Sequence, residues 1–222
     1  MKWNKKFEYP TSIRSSIEGK RHYEITGQKL PSVTTILSAT QSPEKKAKLE
    51  EWKKRVGTQQ ADRIRDVSAM RGTAMHTYLE GYILGENHLD LTSIGREAER
   101  MANVVIEKGL GDLGEVWGSE VTLYYPGLYA GATDVVGMYG GREAIIDFKQ
   151  TNKPKQREWI DDYFTQLAAY AMANNPVYGT KIQSGIILMC SKDCFFQKFE
   201  VHYKAFQGYM HKFLRRVAAY CN

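Results

Sequence analysis

The sequence predicts an α/β fold, and three features lead to this prediction. Helix-like segments fill much of the first half, followed by three strand-like runs, a helix, two further strands and a last helix. The pair Gly140-Gly141 separates two runs of strand-forming residues, which is typical of a hairpin. The composition, 42% hydrophobic and 25% charged over 222 residues, is that of an ordinary globular protein.

The N-terminal third is predicted to contain a short hairpin and two helices. Segments HYEIT and KL lie on either side of Gly27 and indicate the hairpin. The run LPSVTTILSAT begins as a strand and ends as a helix. Ser42 and Pro43 are a helix N-cap and first helical residue, and Gly57 ends that basic helix.

A second long helix is predicted from Gln60 to Leu84. Gly72 inside it costs about 1 kcal/mol relative to alanine, so we expect another backbone to approach closely there. His76 and Glu80 are four residues apart and therefore share one face of this helix. A third, amphipathic helix covers residues 93–108.

The rest of the chain alternates between strands and helices. Glu120 lies on the first strand, and Gln166 and Tyr170 are one turn apart on a later helix. The predicted segments are strand 115–125, the hairpin of 128–149, a basic loop at 151–159, helix 161–173, strands 182–190 and 195–201, and helix 203–220.

Charge and cysteine content restrict the class of protein. The net charge of +6 and the pI near 9.1 suit a polyanionic partner. No apolar run reaches the roughly 18 residues of a membrane helix, and no signal peptide or transit segment is evident. Three cysteines without CxxC spacing indicate a reduced compartment. We therefore expect an intracellular protein, in the cytoplasm of a bacterial or phage-infected cell more readily than in an organelle.

The central hairpin concentrates charge. Asp147 and Lys149 are two apart on one strand and point to the same face, and the hairpin brings Asp134 beside them. Carboxylate oxygens are ligands for Mg²⁺ or Mn²⁺, and such an ion activates water and polarises a phosphodiester. Two interpretations stay open at this point: a metal-dependent phosphodiesterase site, or a surface ion-pair cluster.

The same residues, with others in order along residues 30–200, resemble a known family, the PD-(D/E)XK nucleases. The resemblance extends to their RecB-type exonuclease branch and to its subgroup of mitochondrial genome maintenance exonucleases and phage-encoded relatives. The matching segments are Pro31–Leu37, Arg71-Gly72 with His76, Glu120, Gly131-Ala-Thr-Asp134, Asp147-Phe-Lys149, Lys153-Pro-Lys155, and Gln166 with Tyr170.

The resemblance implies a fold and a set of roles. The fold is a restriction-endonuclease-like core, a central mixed β-sheet flanked by helices, within one domain of residues 1–222. Residues 1–90 would form part of a DNA channel and residues 115–222 the catalytic sheet core. The implied metal ligands are His76, Asp134, Asp147 and the backbone carbonyl of Phe148, and the implied catalytic residues are Asp134, Asp147, Lys149, Glu120 and Gln166. For Glu120, a second-metal or water-orienting role and a salt bridge at the sheet edge stay equally open.

A further set of residues is expected to contact DNA. The basic residues Lys153, Lys155 and Arg157 directly follow the catalytic strand. For the hydroxyls of Ser32, Thr34 and Thr35 the alternatives are phosphate contact and helix capping, and for Tyr170 they are DNA contact and packing. Arg71 completes the expected contacts. The basic residues of the 43–56 helix are candidates for an arch over the strand.

The implied activity is that of a Mg²⁺- or Mn²⁺-dependent DNA exonuclease acting on single strands or flaps. The alternatives are a lambda-type exonuclease that resects duplexes and a catalytically inactive DNA-binding module. Three cysteines cannot supply the four ligands of an iron–sulfur cluster, and no Walker-type loop for ATP is present. The expected partners are DNA and proteins of replication or recombination, with no membrane.

Overall fold

A mixed β-sheet lies at the centre of the computed structural model, which describes residues 1–222. Nine strands and six helices follow one another along the chain. They are β1 (Lys2–Trp3), β2 (Ser12–Ile17), β3 (Lys20–Ile25), β4 (Gln28–Pro31), α1 (Val33–Ala39), α2 (Pro43–Val56), α3 (Thr58–Leu84), α4 (Ser93–Gly109), β5 (Leu113–Tyr125), β6 (Tyr129–Tyr139), β7 (Arg142–Thr151), α5 (Asp161–Tyr178), β8 (Ser184–Ser191), β9 (Phe196–His202) and α6 (Tyr203–Cys221).

The central sheet has six strands in the order β1-β5-β6-β7-β8-β9. The pairs β1–β5 and β7–β8 are parallel, and the other three pairs are antiparallel. Gly140 and Gly141 connect β6 to β7 with φ values of 54° and 76°, the left-handed conformation that a tight hairpin turn requires. The predicted mixed sheet and its central hairpin are therefore confirmed.

Helices cover both faces of this sheet. Helices α1, α5 and α6 pack on one face, where Phe164, Phe206 and Phe213 are fully buried. Helices α3 and α4 pack on the other face through residues such as Met75 and Met101. Side chains of β7 alternate between these two cores, so Asp147 and Lys149 face α5, whereas Phe148 faces α3.

A separate antiparallel sheet, β2-β3-β4, is formed near the N-terminus. Its inner face packs on β6, where Tyr23, Ile25 and Leu30 enclose Ala130. Ser32 then starts α1 as its N-cap, since its Oγ accepts a hydrogen bond from the Thr35 N–H at 3.0 Å. The predicted strand-to-helix change in this segment is confirmed.

Most predicted helix boundaries agree with the structure to within one or two residues, but α5 is longer than expected. It continues past Ala173 to Tyr178 and contains Pro176. Asn174 and Asn175, which are poor helix formers, are held by side-chain hydrogen bonds to Thr180 Oγ1 at 2.8 Å and to the Ile182 carbonyl at 3.1 Å. These contacts with the following loop stabilise the last turn of the helix.

Candidate active site

The centre of the candidate site is a fork between β6 and β7. Backbone pairing of the two strands ends at Val135 and Ile146, and beyond this point the strands separate. The carboxylate of Asp134 fills the fork, where its Oδ2 accepts a hydrogen bond from the Phe148 N–H at 2.5 Å. The predicted approach of Asp134 to the second strand is confirmed. The N–H and C=O of one strand residue point to the same side, so the Phe148 carbonyl also faces the fork.

Asp147 and Lys149 form an ion pair on the α5 side of the sheet. The Asp147 carboxylate is almost completely buried, and its Oδ2 is the oxygen that contacts the Lys149 ammonium. The Lys149 ammonium also lies 5.2 Å from the ring centroid of Tyr163 on α5. Removing either partner would leave a buried charge unpaired, so the ion pair holds both groups in place beside the fork.

Helix α3 adds an imidazole to the fork. Nδ1 of His76 lies 3.3 Å from Oδ1 of Asp134 and 3.7 Å from Oε1 of Glu120. One ligand atom from each of these three residues lies within 4.8 Å of the others. Two carboxylates and an imidazole at this spacing are donors that Mn²⁺ and similar divalent ions accept.

Glu120 reaches this cluster through an unusual backbone conformation. Its φ is +51°, in the left-handed region, although it lies within strand β5. Its neighbours Ser119 and Val121 pair normally with Val135 and Thr133, so Glu120 lies directly opposite Asp134. Strain of this kind costs of order 1–3 kcal/mol and is concentrated at functional sites. The contact with His76 brings Glu120 to the cluster and is itself an ion pair, so the ligand role and the salt-bridge role both stay open.

The charges of the cluster shift the pKa values of its members. Burial alone would lower the pKa of His76, but the charge of Asp134 and hydrogen bonds to Asp134 and Glu120 raise it to about 10. Burial raises the pKa of Asp147 to about 6 against the opposing charge of Lys149. Burial would likewise raise the pKa of Asp134, yet the charges of His76 and Lys149 keep it below its usual value. His76 is therefore protonated near neutral pH, and its positive charge lies beside Asp134.

Sequence reasoning did not assign a site role to two residues that line or support this region. Glu80, one turn after His76 on α3, lines a cavity together with His76 and Glu120. Burial and the charge of Glu120 raise the pKa of Glu80. Gln150, directly after Lys149, lies where α3 passes close to β7: a Cβ added to Gly72 would be 3.3 Å from its Cγ. The close approach at Gly72 is made by this side chain and not by the backbone that was expected, and the i, i+4 spacing was the available signal for Glu80.

Gln166 and Tyr170 form a brace behind β6. The Gln166 amide donates a hydrogen bond to the Tyr170 hydroxyl at 2.8 Å, and Tyr170 is only 2% exposed. The ring therefore packs against Gly131 and does not reach a bound strand. This corrects the DNA-contacting alternative for Tyr170 and supports the packing alternative.

Replacing Gly131 with alanine is expected to loosen this brace. The new Cβ would lie 2.7 Å from Cε1 of Tyr170, so the buried ring must move. We expect a loss of about 1–3 kcal/mol in the free energy of unfolding, measured by urea denaturation. Gly111→Ala is the control, because a Cβ there meets nothing within 4 Å. Equal stability of the two variants would contradict the brace.

Arg71 does not lie where a DNA contact is possible. Its side chain is buried, and its guanidinium donates to Glu97 Oε2 at 2.9 Å and to Asn152 Oδ1 at 3.0 Å. It thereby fastens α3 to α4 and to the loop after β7. The expected DNA contact of Arg71 is corrected, because its side chain is buried and two of its donors are bonded inside the protein.

The remaining predicted DNA contacts divide into two groups. Lys153 and Arg157 are exposed and Lys155 is half-buried, all in the loop between β7 and α5. Arg157 also donates to the Glu200 carbonyl at 3.0 Å and lies 4.5 Å from the centroid of Phe164. The hydroxyls of Ser32, Thr34 and Thr35 instead bond to one another at 2.9 Å across the start of α1, which is the capping alternative.

A fork aspartate, a D-x-K pair on the next strand and a glutamine on the following helix resemble the arrangement of the PD-(D/E)XK class of exonucleases. Mitochondrial genome maintenance exonuclease 1 of Mus musculus is 29% identical over 175 residues, which cover 74% of this chain and 50% of that protein. The Xenopus tropicalis protein of the same name is 27% identical over 202 residues, covering 85% of this chain and 55% of its own. The chain is thus related to PD-(D/E)XK-type exonucleases.

The chain spans about half the length of the curated relatives that it matches. No protein-family model matches it. Among solved structures, a putative exonuclease from Eubacterium rectale superposes with a TM-score of 0.46 and 13% identity, over 67% of this chain and 68% of that one.

Two observations concern location. None of the helices is long and apolar enough to cross a membrane. The curated relatives are named as mitochondrial proteins, so the expectation of a bacterial or phage-infected cell is not supported.

Proposed function

We propose that this chain is a metal-dependent DNA exonuclease that hydrolyses single strands or flaps from free ends. The main support is the fork itself, where Asp134, Asp147, Lys149 and His76 converge from two strands and one helix. The curated relatives carry the name exonuclease, and this supports the same class of reaction here.

The residues present suit a divalent ion such as Mg²⁺ or Mn²⁺. Asp134, His76 and Glu120 offer atoms within 4.8 Å of one another, and Asp147 adds a buried carboxylate on the neighbouring strand β7. The bound ion would supply a Lewis acid that polarises the phosphodiester and lowers the pKa of water. The inward-facing Phe148 carbonyl is a further oxygen ligand of the kind that these ions accept.

Lys149 has a separate role in this proposal. Burial would lower the pKa of its ammonium, but the charges of Asp147 and Asp134 raise it, so the side chain stays charged. Asp147 also holds the ammonium in one position. A fixed positive charge stabilises the additional negative charge that develops on the phosphate oxygens during hydrolysis.

A groove on the α5 side supports a single-stranded substrate. The groove has a volume of about 760 Å³ and lies between α2 and the 153–160 loop. Its lining includes Lys48, Lys155, Trp159 and Tyr163, and Tyr163 also contacts Lys149. Trp159 is 60% exposed. Lysines beside an exposed aromatic ring suit a strand whose phosphates are paired with cations and whose bases stack.

Digestion of end-labelled DNA tests the proposed substrate. Wild-type protein with Mg²⁺ or Mn²⁺ is expected to degrade single-stranded and flapped substrates well before blunt duplex, and chelator should stop the reaction. A preference for blunt duplex would favour the lambda-type alternative. Binding without any hydrolysis in either metal would favour the inactive DNA-binding module. Proteins of replication and recombination produce flaps and free ends, so they are the partners that this function implies.

A further inference from the structure

A second polar cavity lies on the α3 side of the metal-ligand cluster, opposite the groove lined by Trp159. Its volume is about 380 Å³, and no hydrophobic side chain lines it. Helix α3 and strand β5 contribute His76, Glu80 and Glu120. The β2–β3 hairpin contributes Arg14 and Arg21, the two cations of the lining that are not part of the metal-ligand cluster.

The strand register explains why these arginines face the cavity. Directly opposed residues on paired strands lie on the same face of a sheet. Tyr23 and Ile25 on β3 are buried against the protein body. Arg21, two residues before Tyr23, lies on the same face of the strand. Arg14 on β2 lies directly opposite Tyr23. The inward face of the hairpin thus changes from apolar to cationic where it overhangs the cavity.

The backbone of Arg21 is fixed by the start of α1. Its carbonyl oxygen accepts hydrogen bonds from the Ser32 N–H at 3.0 Å and from Thr35 Oγ1 at 2.9 Å. Ser32 Oγ in turn donates to Thr35 Oγ1 at 2.9 Å. The hydroxyl-rich segment of residues 31–35 therefore acts on the hairpin, holding Arg21 in register beside the cavity.

Neither arginine has a partner within the protein. The guanidinium groups of Arg14 and Arg21 make no hydrogen bond or ion pair, although the carboxylates of Glu80 and Glu120 line the same cavity. Lys149, in contrast, is already paired with Asp147. An unpaired guanidinium presents a planar fork of donors that matches two oxygens of a phosphate.

We propose that Arg14 and Arg21 bind two backbone phosphates of the DNA strand on the α3 side of the metal centre, and that residues 31–35 position Arg21 for this contact. The inference rests on the proposed exonuclease function and extends it. With the Trp159 groove on the α5 side, it places the strand across the fork, between two basic surfaces. The arginines position the substrate, and hydrolysis itself depends on the fork residues.

The test compares Arg14→Gln, Arg21→Gln and the double variant with Lys29→Gln. Lys29 is an exposed residue on β4, opposite Glu24 and on the outward face of the same small sheet, so its replacement changes charge equally. Affinity for a fluorescent single-stranded oligonucleotide is measured in chelator over a range of salt concentrations. The slope of log K against log salt decreases by about 0.7 for each phosphate that the protein no longer neutralises.

We expect the slope to fall by about 0.7 for each single variant and about 1.4 for the double variant, with no change for Lys29→Gln. In hydrolysis assays the arginine variants should raise KM and leave kcat within about twofold, because only uniform binding of the strand is weakened. Unchanged slopes, or an equal fall for Lys29→Gln, would overturn the inference.

Two further results separate the possible failures. If the arginines only offset the charge of Glu80 and Glu120, their replacement will change the Mn²⁺-induced shift in unfolding temperature and leave the salt slope unchanged, which overturns the inference. A wild-type protein that neither binds nor hydrolyses DNA refutes the proposed function itself. If the wild-type protein hydrolyses DNA and the arginine variants have the same KM as wild type, only this inference is refuted.

Discussion

Replacing Asp147 with asparagine is expected to reduce metal-dependent DNA hydrolysis by about a thousandfold, equivalent to about 4 kcal/mol of transition-state stabilisation. The substitution removes the charge that suits a cation and the partner that holds the Lys149 ammonium in place. Initial rates on a labelled single strand, with the Mn²⁺-induced shift in unfolding temperature, measure both effects.

Stability separates this expectation from a trivial unfolding effect. Burial raises the pKa of Asp147 from 3.8 to about 6, so the folded state favours the protonated, neutral carboxyl. The contribution of this group is present below pH 3.8 and is lost as the pH rises through 6. Asparagine removes the cost of burying this charge but also takes the partner from the buried Lys149 ammonium, so urea denaturation at about pH 7.5 must show that the metal-free variant still unfolds cooperatively before its rates are compared.

Asp112→Asn is the matched control for this experiment. Asp112 is an exposed aspartate that pairs with Lys198 at 3.0 Å, and its replacement should affect neither activity nor the Mn²⁺ shift. Full activity of Asp147→Asn, or an equal loss of activity in Asp112→Asn, would show that Asp147 is not a residue of the active site.

The elements that sequence predicted well are those set by local patterns. Alternating side chains and the Gly140-Gly141 turn fix the central hairpin, and the capping residues Ser42 and Pro43 fix the start of α2. The α5 helix was predicted too short, because Asn174 and Asn175 are stabilised by a loop that no local pattern reveals. Non-local contacts decide such boundaries.

The site shows the same division. The fork ligands were expected from a resemblance in motif order, and the structure brings His76, Glu120 and Asp134 together. Burial was not predictable from spacing, so Arg71 and Tyr170 were assigned to DNA although both are enclosed by the protein. Arg14 and Arg21 had no motif, since only the tertiary placement of the hairpin brings them to the cavity.

Divalent metal binding is expected to strengthen with pH, because a metal ion requires a neutral imidazole and must displace a proton from His76. The pKa of His76 in the metal-free protein is raised from 6.5 to about 10. Between about pH 6.5 and 9 one proton should therefore leave for each ion bound, and the apparent affinity for Mn²⁺ should rise about tenfold per pH unit. Titration calorimetry in this range measures the slope.

The same shift predicts how the metal-free protein responds to pH. A raised folded-state pKa means that the His76 contribution to stability is fully present below pH 6.5 and is lost as the pH rises through 10. The free energy of unfolding without metal should thus fall between about pH 7 and 10, and Mn²⁺ should restore it by replacing the imidazolium charge beside Asp134. His76→Asn should abolish both trends, whereas the exposed His211→Asn on α6 should keep them. Affinity that does not change with pH in wild type would mean that His76 is not a ligand, and the ion would then have to be held by carboxylates alone.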